Sequence, residues 1–143
     1  MNQTKSSELI QLILWIVALI STVGSLFFSE VMQFVPCELC WYQRILMYPL
    51  VVIYTIAALK KNITVTWPAL WLSGIGIFVS MYHYMVKKVP ALQELGDSCG
   101  IIPCNVTYVN YGGFITIPLM AGVAFLILFV LNVMLIKQNK EEQ

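Results

Sequence analysis

Four apolar runs set the terms for any fold that this chain can adopt. They cover about residues 9–28, 41–59, 66–86 and 114–136. Each is close to the roughly 20 residues that a helix needs to cross the hydrocarbon core of a bilayer. No water reaches that core, so a spanning segment must satisfy its own backbone as a helix or join a closed barrel. Runs of this length predict helices. The composition agrees, because 59% hydrophobic and 10% charged residues leave too little charge to coat a soluble domain of 143 residues. The expected fold class is therefore an all-α membrane protein, a four-transmembrane-helix bundle forming one domain over residues 1–143. A net charge of +1 says nothing about nucleic acid, and no basic cluster suggests a surface for it. The first run, LIQLILWIVALISTVGSLFF, is longer than the apolar core of a signal peptide. The SEVMQFVP that follows has no small-residue cleavage site, so a retained helix is expected.

Four spans put both termini on one side, together with the turn near residues 60–65. That side carries Lys5, Lys60, Lys61, Lys137 and Lys140, against Arg44, Lys87 and Lys88 on the other. The positive-inside rule then favours cytoplasmic termini, with the Lys87–Lys88 pair as the opposing signal. Cys37 and Cys40 fall in the first outer loop, and Cys99 and Cys104 in the second. Paired loop cysteines suit an oxidising compartment outside the cytoplasm.

Local patterns add detail. Thr66 is the expected N-cap of the third helix, with Pro68 in its first turn. Ser73, Gly76, Ser80 and His83 recur at spacings of three and four, a small-residue stripe of the kind along which membrane helices pack closely. Arg44, Tyr48, Val51 and Thr55 share a face of the second helix that is too polar for lipid, and Pro49 predicts a kink there. In the second loop, Val89, Leu92 and Leu95 between Pro90 and Gly96 suggest a short interfacial helix, with Lys87 and Lys88 reaching headgroups. Tyr108 and Tyr111 suit an aromatic belt. Three matches to the N-glycosylation pattern carry no functional weight at such a short length.

The stretch Cys37-Glu-Leu-Cys40 carries the chemistry. Two cysteines at this spacing close a small, reducible ring, and the helix start beside them favours a thiolate through its unpaired N–H groups. Arg44, one helical turn beyond Cys40, adds a permanent positive charge. Other readings stay open at this point. Four cysteines permit three structural pairings, and Arg44 could anchor the interface. Zinc could use the Cys-x-x-Cys spacing, although no second such motif and no histidine in an outer loop supports it. His83, the one histidine, sits near the outer end of the third span. It is a candidate proton donor or hydrogen-bond partner for a ligand between helices two and three. A multidrug exporter of four helices would need a buried acidic residue in a span, which the first span lacks.

PCELCWYQR followed by ILMYPL, with a second cysteine pair in the other outer loop of a four-span chain, resembles the DsbB family of disulfide-generating membrane proteins, closest to its BdbC-type branch. The resemblance implies a membrane thiol oxidoreductase that re-oxidises a thioredoxin-fold, DsbA-like partner and passes the electrons to a membrane quinone, menaquinone rather than ubiquinone. It implies that Cys99 and Cys104 meet the partner's dithiol and that Cys37 and Cys40 receive the electrons. Cys40 would face the quinone and Arg44 would interact with it, with His83 contributing near the same site. The alternative is a structural adaptor with disulfide-braced loops. Two features depart from better-known members: Cys99 and Cys104 are separated by only four residues, and Gln43 stands where related sequences can carry glutamate.

Overall fold

The structure, a computed structural model, describes residues 2–97 and 112–141. Helix α1 is Asn2–Glu30, α2 is Glu38–Lys60, α3 is Trp67–Lys88, α4 is Pro90–Asp97 and α5 is Ile117–Glu141. A short 3₁₀ turn, Ile63–Thr66, joins α2 to α3. The helices α1, α2, α3 and α5 are each long and apolar enough to cross a membrane. They close a ring in which α1 packs on α2, α2 on α3, α3 on α5 and α5 back on α1. Outward faces keep large apolar side chains in the open, such as Ile20, Val52, Phe78 and Leu126. Lipid is the solvent that covers such a surface.

The ends of the helices have local causes. Helix α2 begins at Glu38 rather than near Trp41, so Cys40 lies in its first turn and not in the preceding loop. A charged residue interrupts an apolar run, but a carboxylate in the first turn complements the positive end of the helix. Cys37 takes the N-cap position with extended backbone. At the other end Lys61 is left-handed, with φ 50°, and its Nζ bonds the Glu8 carboxylate of α1 at 2.7 Å. Helix α2 continues through Pro49 without interruption.

Thr66 stands at the N-cap position of α3 as expected, but its backbone is already helical and its side chain makes no capping bond. A side-chain cap is found on the 3₁₀ turn before it, where Asn62 Oδ1 accepts the Thr64 N–H at 3.0 Å. Pro68 does sit in the first turn of α3. Helix α5 starts at Ile117, three residues beyond Phe114, after Gly112 and Gly113 adopt φ 60° and 79°. That pair of left-handed residues is open to glycine and cannot extend a right-handed helix. The short helix of the second loop is present as α4, although Val89 is the extended cap of α3 and not part of it. Tyr108 and Tyr111 lie outside the described residues.

Packing follows the polar and small residues. Ser73, Gly76, Ser80 and His83 are all buried along α3. A Cβ on Gly76 would stand 2.4 Å from the Phe125 ring of α5, and one on Gly122 would stand 3.3 Å from Ser80 Cβ. The two helices approach as closely as they do because those side chains are missing. The polar face of α2 turns to α1, where Trp15 Nε1 donates to Thr55 Oγ1 at 2.9 Å. Thr55 in turn donates to the Val51 carbonyl at 2.7 Å. Lower in the bundle, Asn132 of α5 donates to the buried Tyr54 hydroxyl of α2. Leu14, Leu50, Phe125, Leu128 and Leu135 fill the space around it.

The two glycines of α3 should respond differently to a methyl group. Gly76→Ala forces the added carbon into Phe125 and should cost about 1–3 kcal/mol, the usual penalty of overpacking. Gly74→Ala meets Phe129 at an ordinary 3.6 Å and should be neutral or stabilising. Unfolding in mixed micelles compares them. Equal stability of the two variants would contradict close α3–α5 packing at Gly76.

Candidate redox site at the start of the second helix

The N-cap geometry of α2 decides how its cysteines meet. Cys37 is extended while Cys40 has entered the helix, and this folds the two thiols back toward each other. The Cys37 thiol donates to Cys40 Sγ at 3.1 Å. A disulfide bond is about 2.0 Å long, so closing the ring asks for an approach of little more than 1 Å. Cys37 is buried against Leu39 and Val86, with Cys40 and Leu92 packed alongside. Leu92 belongs to α4, so the short helix of the second loop rests on the cysteine pair of the first.

The α3 stripe brings His83 to the same place. His83 Nε2 lies 3.7 Å from Cys37 Sγ, a sulfur-length contact. Behind the ring, the Gln43 side-chain nitrogen lies 3.3 Å from His83 Nδ1 and donates to Ser80 Oγ at 3.4 Å. With the amide donating to Nδ1, the neutral imidazole carries its proton on Nε2 and points it at the Cys37 sulfur. Burial and the hydrogen bond to Cys40 act on Cys37 in one direction and His83 in the other. The first two win, and the Cys37 thiol is pushed up to about 12, chiefly by its hydrogen bond with Cys40 and then by burial. The dithiol thus holds its second proton on Cys37, with Cys40 as the sulfur that accepts.

Arg44 faces α1. Its Nε donates to Ser25 Oγ at 3.1 Å and its Nη2 to the Ser25 carbonyl at 3.0 Å. Its guanidinium lies 5.6 Å from the centre of the Trp41 ring. These contacts hold the cation in place between two helices, where an interface anchor would extend toward solvent. Arg44, Cys37, Cys40 and His83 all line one cavity of about 310 Å³ between the four long helices. Phe28, Phe34, Met47 and Phe125 give it apolar walls, and the small residues Gly24, Ala121 and Ala124 also line it.

Of the six residues expected to act, the structure gathers four around this cavity, while Cys99 and Cys104 lie outside the described residues. Three participants had no functional signal in the sequence. Gln43 and Ser80 read as a departure and as packing, yet they buttress the His83 ring. Lys87 reads as a headgroup anchor, but it is half-buried and lines the cavity. Its neighbour Lys88 reaches the Gly113 carbonyl at the foot of α5. The helical spacing Cys40–Gln43–Met47 marks the inward face of α2 and could have singled out Gln43. No outer loop of the described residues supplies a histidine, yet His83 of α3 comes within 3.7 Å of the Cys37 sulfur.

A pair of close thiols at the end of a four-helix membrane bundle, set against a fixed cation and an apolar cavity, defines a membrane thiol–disulfide protein. The chain belongs to the DsbB family: the family model described as "Disulfide bond formation protein DsbB" matches residues 7–135. It is 59% identical over 137 residues to a "Probable disulfide formation protein" of Oceanobacillus iheyensis, covering 95% of this chain and 94% of that protein. It is 48% identical over 128 residues to the "Disulfide bond formation protein C" of Bacillus subtilis, covering 90% and 92% of the two. A "Probable disulfide formation protein C" of Halalkalibacterium halodurans is 45% identical over 136 residues, covering 95% and 99%. No solved structure matches significantly. The family and the four apolar helices make this a multi-pass bacterial membrane protein with a disulfide-forming role.

The two thiols of the reduced protein should differ sharply toward alkylation. Iodoacetamide at about pH 8 should modify Cys40 at least about tenfold faster than Cys37, since the thiolate is the nucleophile and Cys37 is both buried and proton-bound until near pH 12. Peptide mass spectrometry resolves the two sites. Preferential labelling of Cys37 would overturn this assignment.

Proposed function

We infer that the protein is a quinone-linked thiol oxidase that re-oxidises an extracytoplasmic, thioredoxin-fold, DsbA-like partner. The single observation that carries this reading is the sharing of one cavity wall by the Cys37–Cys40 pair and the immobilised Arg44. Apolar walls with one polar, cationic side fit the head of a quinone whose tail stays in lipid. A quinone bound there, menaquinone by resemblance, supplies a two-electron acceptor. Arg44 and His83 would hold its polar edge, and Cys40, the more open of the two sulfurs, would face it.

The residues of the chain do the rest by thiol–disulfide exchange. The partner's dithiol attacks the Cys99–Cys104 disulfide through a mixed disulfide and leaves oxidised, so two electrons and two protons enter that pair. The reduced pair then opens the Cys37–Cys40 disulfide by the same exchange and recloses its own. Cys40 receives the negative charge, since Cys37 keeps its proton. A quinone held beside Arg44 and His83 would supply the acceptor for the two electrons and two protons released when Cys37 and Cys40 close again to a disulfide. Gln43 and Ser80 hold the His83 ring against Cys37 throughout. The cysteine loops would face outward and both termini the cytoplasm, as the lysine distribution favours.

Purified, fully reduced protein mixed anaerobically with excess short-chain quinone should yield two quinols per chain, one for each cysteine pair, and Cys40→Ser should abolish the yield. No quinol from a folded, reduced sample would favour structural disulfides instead. Arg44→Ala should fold normally yet lose roughly ten- to a hundredfold in turnover at subsaturating quinone, the value of a hydrogen bond to a charged group. Unchanged turnover at all quinone concentrations would remove Arg44 from the site.

A further inference from the structure

We propose that the reduced protein binds one divalent cation of the zinc class at Cys37, Cys40 and His83, and that this metal caps the dithiol until it is withdrawn. The three ligand atoms lie within 4.8 Å of one another. Cys37 Sγ is 3.1 Å from Cys40 Sγ and 3.7 Å from His83 Nε2. Ligand atoms bonded to tetrahedral zinc at about 2.3 Å for sulfur and 2.0 Å for nitrogen stand roughly 3.5–3.8 Å apart. The sulfur pair would therefore part by well under an ångström, and the histidine contact already has the required length. The three ligands come from rigid places, the N-cap and first turn of α2 and the buried stripe of α3.

Charge and supporting contacts favour the same occupant. Two thiolates balance one divalent ion, so binding adds no net charge to a cavity wall that already carries Arg44 and Lys87. Binding replaces two S–H bonds with two metal–sulfur bonds and releases two protons to solvent, with no change of oxidation state. The metal takes the Nε2 lone pair and shifts the ring proton to Nδ1. Gln43 then needs only to turn its amide over to accept that proton with its oxygen. Metal-binding histidines are ordinarily held by such a partner on their second nitrogen. All three ligands line the cavity, which leaves room for a fourth ligand from solvent. A disulfide has no thiolate to offer, so the oxidised protein cannot bind in this way and the site exists only in the reduced half of the cycle. The inference does not depend on the electron acceptor.

Cobalt tests it, because Co²⁺ in a thiolate site shows sulfur-to-metal charge transfer and intense tetrahedral ligand-field bands. The full chain carrying Cys99→Ser and Cys104→Ser removes the other thiols. Reduced anaerobically in detergent, it should bind one Co²⁺ with those bands, and Zn²⁺ should displace the cobalt. Zn²⁺ should also protect Cys37 and Cys40 from iodoacetamide until a chelator is added. His83→Ala should abolish the tetrahedral bands. Gln43→Leu should weaken binding by about 10- to 100-fold, the cost of losing a ligand's supporting hydrogen bond, and Gln43→Glu should restore it. Circular dichroism checks that each variant keeps its helices, and if His83→Ala does not, the oxidised protein supplies the comparison. The proposal is overturned by a helical, reduced sample without thiolate–cobalt bands. It is equally overturned by bands that persist in folded His83→Ala or in the oxidised protein. Failure of quinone reduction would leave these readings untouched, so the two proposals fail separately.

Discussion

The close approach of α3 and α5 is the contact on which the site depends. Lipid tails are as apolar as leucine, so helices in a bilayer gain little from hiding apolar surface and associate where small residues let them pack closely. Gly76 supplies that opening beneath Phe125, and Gly122 does so opposite Ser80. Because Ser73, Gly76, Ser80 and His83 share a stripe, pressing the glycine into α5 also turns the histidine inward. The imidazole then arrives at the N-terminus of α2 without any strong attraction of its own. A side chain that would be costly facing lipid is satisfied there by Gln43 and Cys37.

Two opposing demands meet at the cysteine pair. A reactive thiol pair has to be accessible, yet Cys37 is shielded by Val86, Leu39 and the α4 residue Leu92. The N-cap resolves part of this conflict by giving the two sulfurs different environments. Cys37 is buried and keeps its proton, while Cys40, three residues later, borders the cavity and receives a hydrogen bond. Arg44 is anchored on Ser25 of α1, so the charge that faces the cavity is fixed by a different helix from the one that carries the cysteines. The cavity is in that sense a property of the whole ring of helices.

Much of this was legible one residue at a time, and the failures share a cause. Apolar length identifies the spans because the hydrocarbon core has a definite thickness. The burial of the α3 stripe follows from helical periodicity alone. Helix ends were less readable. Glu38 looks like a break in the second span but belongs to its first turn, and Thr66 holds the N-cap position of α3 yet leaves the side-chain capping to Asn62 of the 3₁₀ turn. The last helix starts only at Ile117, beyond the left-handed turn at Gly112 and Gly113. Lys87 offers a headgroup anchor by type, but its position on α3 places it on the cavity wall.

By itself, the sequence determined that this chain crosses a membrane as helices and that a Cys-x-x-Cys pair adjoins an arginine at a helix start. These follow from solvent thickness and helical spacing, which act locally along the chain. Only the tertiary structure decided that His83, forty-six residues from Cys37, stands against its sulfur with Gln43 behind it. It also decided that Arg44 answers to Ser25 on another helix, and that one cavity joins them. Those relations depend on which helix faces which, and that was settled by shape at the α3–α5 contact, where two missing side chains set the rotation of the stripe.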